Sequence, residues 1–109
     1  MAPKSLEAAF ARVRAAAAHL PEVEEATSYG TPALKVRGKL FARLKDADTL
    51  VVHSFPDEKE MLMQVDPEVY FETDHDKGWH AVLVRLKKIS TPKLLHRLAQ
   101  AWRHKRRNG

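Results

Sequence analysis

Leu6, Phe10, Val13, Ala17 and Leu20 recur every three or four residues, with Arg12 and Arg14 off their line. That period lays one apolar stripe along a helix. Ser5 is expected as its N-cap with Glu7 in the first turn, and Pro21 stops it. The period then drops to two. In residues 33–37, Leu34 and Val36 alternate with Lys35 and Arg37. After a turn at Gly38, residues 39–45 set Leu40, Ala42 and Leu44 against Lys39, Phe41, Arg43 and Lys45. Successive side chains on a strand point to opposite faces, so these segments read as two half-buried strands. The turn Asp46-Ala47-Asp48 leads to a third, β-branched strand over 49–54. Connections this short cannot make crossovers, so the strands pair antiparallel. Residues 23–30 add a short edge strand, broken by Gly30 and Pro32.

Pro56 and Asp57 open a short helix with Met61, Leu62 and Val65 as its apolar members, closed before Asp66-Pro67. Two strands follow, over 69–73 and 80–89, joined by the 74–78 turn. In the second, Val82, Val84 and Leu86 point inward and Arg85 and Lys87 outward, with Lys88 near its end. Ser90 or Thr91 caps the last helix, with Pro92 in its first turn. Leu94, Leu95, Leu98 and Trp102 form its buried stripe. Lys93, Arg97, Gln100 and His104 take the exposed side, and residues 105–109 form a frayed tail. The order is helix, three strands, helix, two strands, helix. An α+β domain spanning residues 1–109 follows: one antiparallel sheet, with helices on one face and the other left open.

Composition narrows the class. A chain of 109 residues holds one core, and a charged fraction of 30% is that of a globular protein. No cysteine is present, which removes disulfides, thiolate metal sites and cysteine nucleophiles. Lys4, Glu7 and Arg12 precede any apolar run, and no stretch of eighteen apolar residues occurs. Neither a secretory leader nor a membrane span is expected, and the cytoplasm is the expected compartment. The net charge of +5 is unevenly laid out: residues 1–76 hold nine Lys/Arg against fourteen Asp/Glu, and residues 77–109 hold ten Lys/Arg and no acid. That points to an acidic and a basic side, or to a helix and tail merely solvated by cations.

No enzyme template fits. The four glycines are too scattered for a phosphate-cradling loop, no serine sits in a nucleophile elbow, and most carboxylates crowd into 57–60 and the turns. No cofactor or resident metal is expected. One cluster, Tyr29, Thr73, His75 and Trp79, is a candidate small-molecule or metal site, with Asp74, Asp76 and His80 near it in sequence. Its bland counterpart is a turn whose Thr73, Asp74 and His75 side chains bond their own backbone.

If Leu34, Val36, Leu40, Ala42 and Leu44 face the helices, Lys35, Arg37, Lys39, Arg43 and Lys45 face away with Phe41 among them. Arg85, Lys87 and Lys88 join from the later strand. Cations with an aromatic on one open face suit phosphate and base. The Gly38 and Gly78 turns would be wings, the second carrying Lys77 and Trp79. Two alternatives stand: exposed strands carry such charges to blunt aggregation, and a bulge would turn Phe41 into the core.

Leu20-Pro21-Glu22-Val23-Glu24-Glu25, Tyr29-Gly30-Thr31-Pro32 and Val36-Arg37-Gly38-Lys39-Leu40-Phe41-Ala42 resemble the opening of the MmcQ/YjbR family. Phe71-Glu72-Thr73-Asp74-His75, Gly78 and Val82-Leu83-Val84-Arg85-Leu86 resemble its second signature, and Ala101-Trp102 its closing helix. The resemblance implies a secretion-chaperone-like fold of helix–β3–helix–β2–helix order. It also implies DNA binding through two hairpin wings. Asp76 stands where the family often has an aromatic, which sets aside a stacking role for that position. The expected function is a sequence-tolerant DNA-binding module, monomer or weak dimer, without a membrane partner. Its rival is a protein-interaction module that binds a partner chain at the open sheet face or edge.

Overall fold

The computed structural model describes residues 2–107, with side chains from Leu6 to Arg107. Helix α1 (Ala2–Ala16) leads into β1 (Val23–Ser28), β2 (Thr31–Val36), β3 (Lys39–Leu44) and β4 (Thr49–His53). Then come α2 (Pro56–Val65), β5 (Tyr70–Phe71), a 3-10 turn over Asp74–Asp76, β6 (Ala81–Arg85) and α3 (Thr91–Arg107). All six strands join one antiparallel sheet in the order β1-β2-β3-β4-β6-β5. Ser5 lies inside α1 rather than capping it.

The meander follows from its turns. Tyr29-Gly30 and Arg37-Gly38 each carry two consecutive positive φ angles, 56° and 77° in the first, 53° and 78° in the second. That is the mark of the type I′ turn, whose twist matches the strands it joins. Leu34, Ala42, Val52 and Val82 form one rung across four strands, and Leu44, Leu50, Val84 and Tyr70 another. Both rungs are buried, and Phe10 and Val13 of α1, Leu62 of α2, and Leu94, Leu98 and Ala101 of α3 pack with them in one core. The α+β sheet with three helices on one face is therefore as the alternation implied.

Phe41 departs from that alternation. Leu34 pairs with Ala42 and Lys35 with Leu40, which leaves Phe41 as an extra residue on β3. At such a bulge two residues oppose one. Here Phe41 and Ala42 both turn inward, 1% and 2% exposed. Phe41 is core and cannot stack on a ligand at the open face. Burying a ring of this size stabilises the fold by about 1.5–3 kcal/mol, which an outward position would forfeit. Leu40, expected inward, shares the open-face rung of Lys35, and Lys39 shares the rung of Val36.

Three further expectations change. Strand β6 ends at Arg85, whose carbonyl accepts the N–H groups of Lys88 and Ile89; Lys87 and Lys88 thus lie beyond the sheet. Arg97 is buried, not exposed, and meets Glu58 of α2 at 2.8 Å. Residues 105–107, expected to fray, continue α3, while Asn108 and Gly109 lie outside the described residues. The helix end is tied down: Trp102 Nε1 donates to the Pro21 carbonyl at 2.9 Å, and Arg106 pairs with Glu22 at 2.8 Å. Lys93, Arg97 and Arg106 each pair with a carboxylate from the acidic part of the chain, so charge segregated along the sequence is interleaved in space. Among the described residues no helix is long and apolar enough to cross a membrane.

Candidate functional site

The face without helices is not flat. Its central rung is Ala33, Arg43, Val51, Leu83 and Phe71, flanked by His53 opposite Ala81. A groove of about 660 Å³ runs along it, floored by Arg43, Val51 and Ala81. The β3–β4 ladder reaches only from Leu44 to Ala42. Bulges bend the strand that carries them, and the β3–β4 pairing stops at Ala42 and Val52, one residue before β4 ends. Lys39, His53 and Lys105, the last from the end of α3, line the groove there.

Its two rims are aromatic. Tyr29, at the β1–β2 hairpin tip, is 86% exposed, with the Arg43 guanidinium 4.9 Å from its ring centre. Trp79 is 65% exposed on the opposite wall, beside His75, Asp76 and His80. The hairpin that rims the groove is therefore Tyr29-Gly30, not the expected one at Gly38.

The Trp79 wall is braced from below. Lys59 of α2 is buried, and its ammonium donates to the carbonyls of Asp76 (2.7 Å) and Trp79 (3.1 Å) and meets Glu72 at 2.8 Å. One buried cation thus holds three points of the 72–79 segment. Thr73 works for the turn: its hydroxyl and N–H donate to Asp76 Oδ2 at 2.5 and 3.2 Å. Burial pushes the Asp76 carboxyl up, but these bonds, with Lys45 and Lys59 nearby, outweigh it and hold the group below the usual carboxylate range. Of the candidate pocket, Tyr29, His75 and Trp79 line one groove and Thr73 does not.

Next to the groove's His53 and His80, Phe55 lies edge-on to His104 at 4.3 Å, with His53 at 5.6 Å and His80 at 6.4 Å. Burial, then the charges of Lys105, His104 and His80, push the His53 imidazole down to about 4, against a hydrogen bond at the His80 backbone. Among the described residues no group of three or more His, Cys, Asp or Glu could hold a metal ion.

The expected cations divide. Lys39 and Arg43 line the groove. Lys35 is half-buried on the open-face rung between Glu24 and Leu40, and Lys45 is exposed past the end of β3. Arg37 sits at its turn 3.4 Å from Glu22, and Lys77 is 3.5 Å from Asp74. Arg85 lies 4.0 Å over the Phe71 ring and donates to the Pro67 and Glu68 carbonyls, so it fastens β5. Lys87 and Lys88 are outside the strand. Sequence reasoning missed Lys105 in the groove and Lys59 beneath its wall. The spacing of Lys59 to Leu62 was an available sign, since residues three apart share a helix face.

A family model, YjbR, matches residues 18–104. The crystal structure of Deinococcus radiodurans protein DR2400, with family-model domain DUF419, is similar to this chain. Its TM-score is 0.70 at 21% identity, covering 83% of this chain and 72% of that one. That likeness bears on the fold alone. No curated protein matches.

Proposed function

The chain belongs to the YjbR family, and from that premise we propose that it is a DNA-binding module that takes phosphate in the groove of the helix-free face, without reading base sequence. One observation carries this reading. Lys39 and Arg43 of β3 meet Lys105, from the end of α3, in one groove, whose single lining carboxylate, Asp76, is already bonded to Thr73. Phosphate contacts of this kind supply affinity and position, not sequence information. The surface is narrower than the alternation implied, because Arg37, Lys77 and Arg85 lie outside the groove, paired with Glu22, with Asp74 and with the Pro67 carbonyl. The same reading makes the protein a binder and not an enzyme.

A salt titration of DNA binding tests it. Three neutralised phosphates give a slope of log affinity against log salt between about −2 and −3. Arg43→Ala is expected to lower that slope by about 0.7–0.9 and to weaken binding uniformly across sequences. Affinity indifferent to salt and to Arg43→Ala sinks the reading. A second reading is supported by β1, a six-residue edge strand with no outer partner among the described residues. An extended segment of a partner protein could add to it. Recovery of a discrete protein from nuclease-treated lysate, lost when β1 is blocked by proline, would favour that reading.

A further inference from the structure

We propose that the groove is built for unpaired bases, so that its ligand is single-stranded DNA in preference to duplex. This rests on the DNA-binding reading and adds the state of the strand. The argument starts at Tyr29. Type I′ turns favour Asn, Asp or Gly at their first central position. Tyr29 holds φ 56° there and remains 86% exposed, so the ring gains no burial for its strained backbone. Arg37 holds the same position in the next turn, so what sets Tyr29 apart is an exposed ring at the rim of the groove.

Trp79 meets the same description from the other side. It is 65% exposed, yet its backbone is fixed: the N–H donates to the Asp76 carbonyl at 3.1 Å and its carbonyl accepts from buried Lys59. A large ring on a braced backbone loses little freedom on binding. Arg43 covers one face of the Tyr29 ring, which sets a cation directly beside a stacking surface. Bases in a duplex have their faces stacked on one another, whereas unpaired bases offer theirs to protein rings. The space agrees. About 660 Å³ is the size of a pocket for a small ligand, room for about one or two nucleotides. Lys39, Arg43 and Lys105 line the same groove, which sets cations for phosphate beside the rings.

The test is fluorescence anisotropy with a short labelled oligothymidylate and a duplex of equal length, at equal salt. The single strand is expected to bind about tenfold tighter or more. Tyr29→Ala and Trp79→Ala should each weaken its binding by roughly 5- to 150-fold, as loss of one base–ring stack does. Tyr29→Phe and Trp79→Phe should restore it to within about threefold, because a ring remains. Both positions are exposed, so thermal unfolding of the variants should match the parent. Duplex bound as tightly as the strand, or alanine variants that bind the strand normally, overturn this inference and leave the DNA-binding reading standing. Absence of binding to both at low salt removes the two together.

Discussion

In the helical layer Lys59 and Arg97 are buried, and each meets a carboxylate; on the bare face of the same sheet Arg43 and Lys105 line a groove between two exposed aromatic rings. The aromatic residues divide the same way. Phe10, Phe41 and Tyr70 are sealed in the core, while Tyr29 and Trp79 stand in solvent. The contrast teaches where to look for function in a chain rich in cations. A buried ammonium or guanidinium must have counter-charge, because an uncompensated ion in the interior is strongly destabilising. Such residues serve the fold. The groove differs in gathering cations from two elements, β3 and α3, around a lone carboxylate already taken by Thr73.

The sharpest test of that division is Phe41→Ala. A ring in the core leaves a cavity when removed, and about 3–5 kcal/mol of stability should vanish in urea denaturation. A ring on the open face would cost less than about 0.5 kcal/mol. Next is Lys59→Ala, which strands Glu72 and frees two carbonyls of the Trp79 wall. A loss of about 3 kcal/mol is expected, with hydrogen exchange rising first in residues 72–80. An unchanged exchange pattern would show that the wall stands without its brace. The smallest effect belongs to His53. Its folded-state pKa of about 4 lies below the ordinary 6.5, so the unfolded chain binds its proton more readily. Stability from this residue is complete above pH 6.5 and is lost as pH falls towards 4. His53→Gln should flatten that part of the Tm-against-pH curve by a few degrees. Asp76, held below its usual range, gives way in the same direction at still lower pH.

Local patterns made the architecture readable. Leu34, Val36, Leu44, Val82 and Val84 alternate and are all buried; Leu94 and Leu98 mark α3. The errors arose where a pattern was broken by a single residue. The apolar run Leu40-Phe41-Ala42 signals a bulge as well as it signals alternation, and only cross-strand pairing decides between them. Lys59 hid among acids and Arg97 among cations, although each lies three residues from a core leucine, Leu62 and Leu94. The groove was half legible. Arg43 and Lys39 belong to one strand and could be grouped, and Tyr29, His75 and Trp79 were named together as a pocket. Joining the two sets, and adding Lys105 from the far end of the chain, required the tertiary fold.

The surplus residue in β3 has one more consequence. Excising position 41 would return the hairpin to an uninterrupted ladder, since Ala42 already faces Leu34 and Leu40 already faces Lys35. No other pair would need to change partner. What would disappear is the local kink and extra twist of β3, on the strand that carries Lys39 and Arg43 to the groove. One wall of the groove thus stands on a strand reshaped by a single inserted amino acid, tolerated because its side chain found a place in the core.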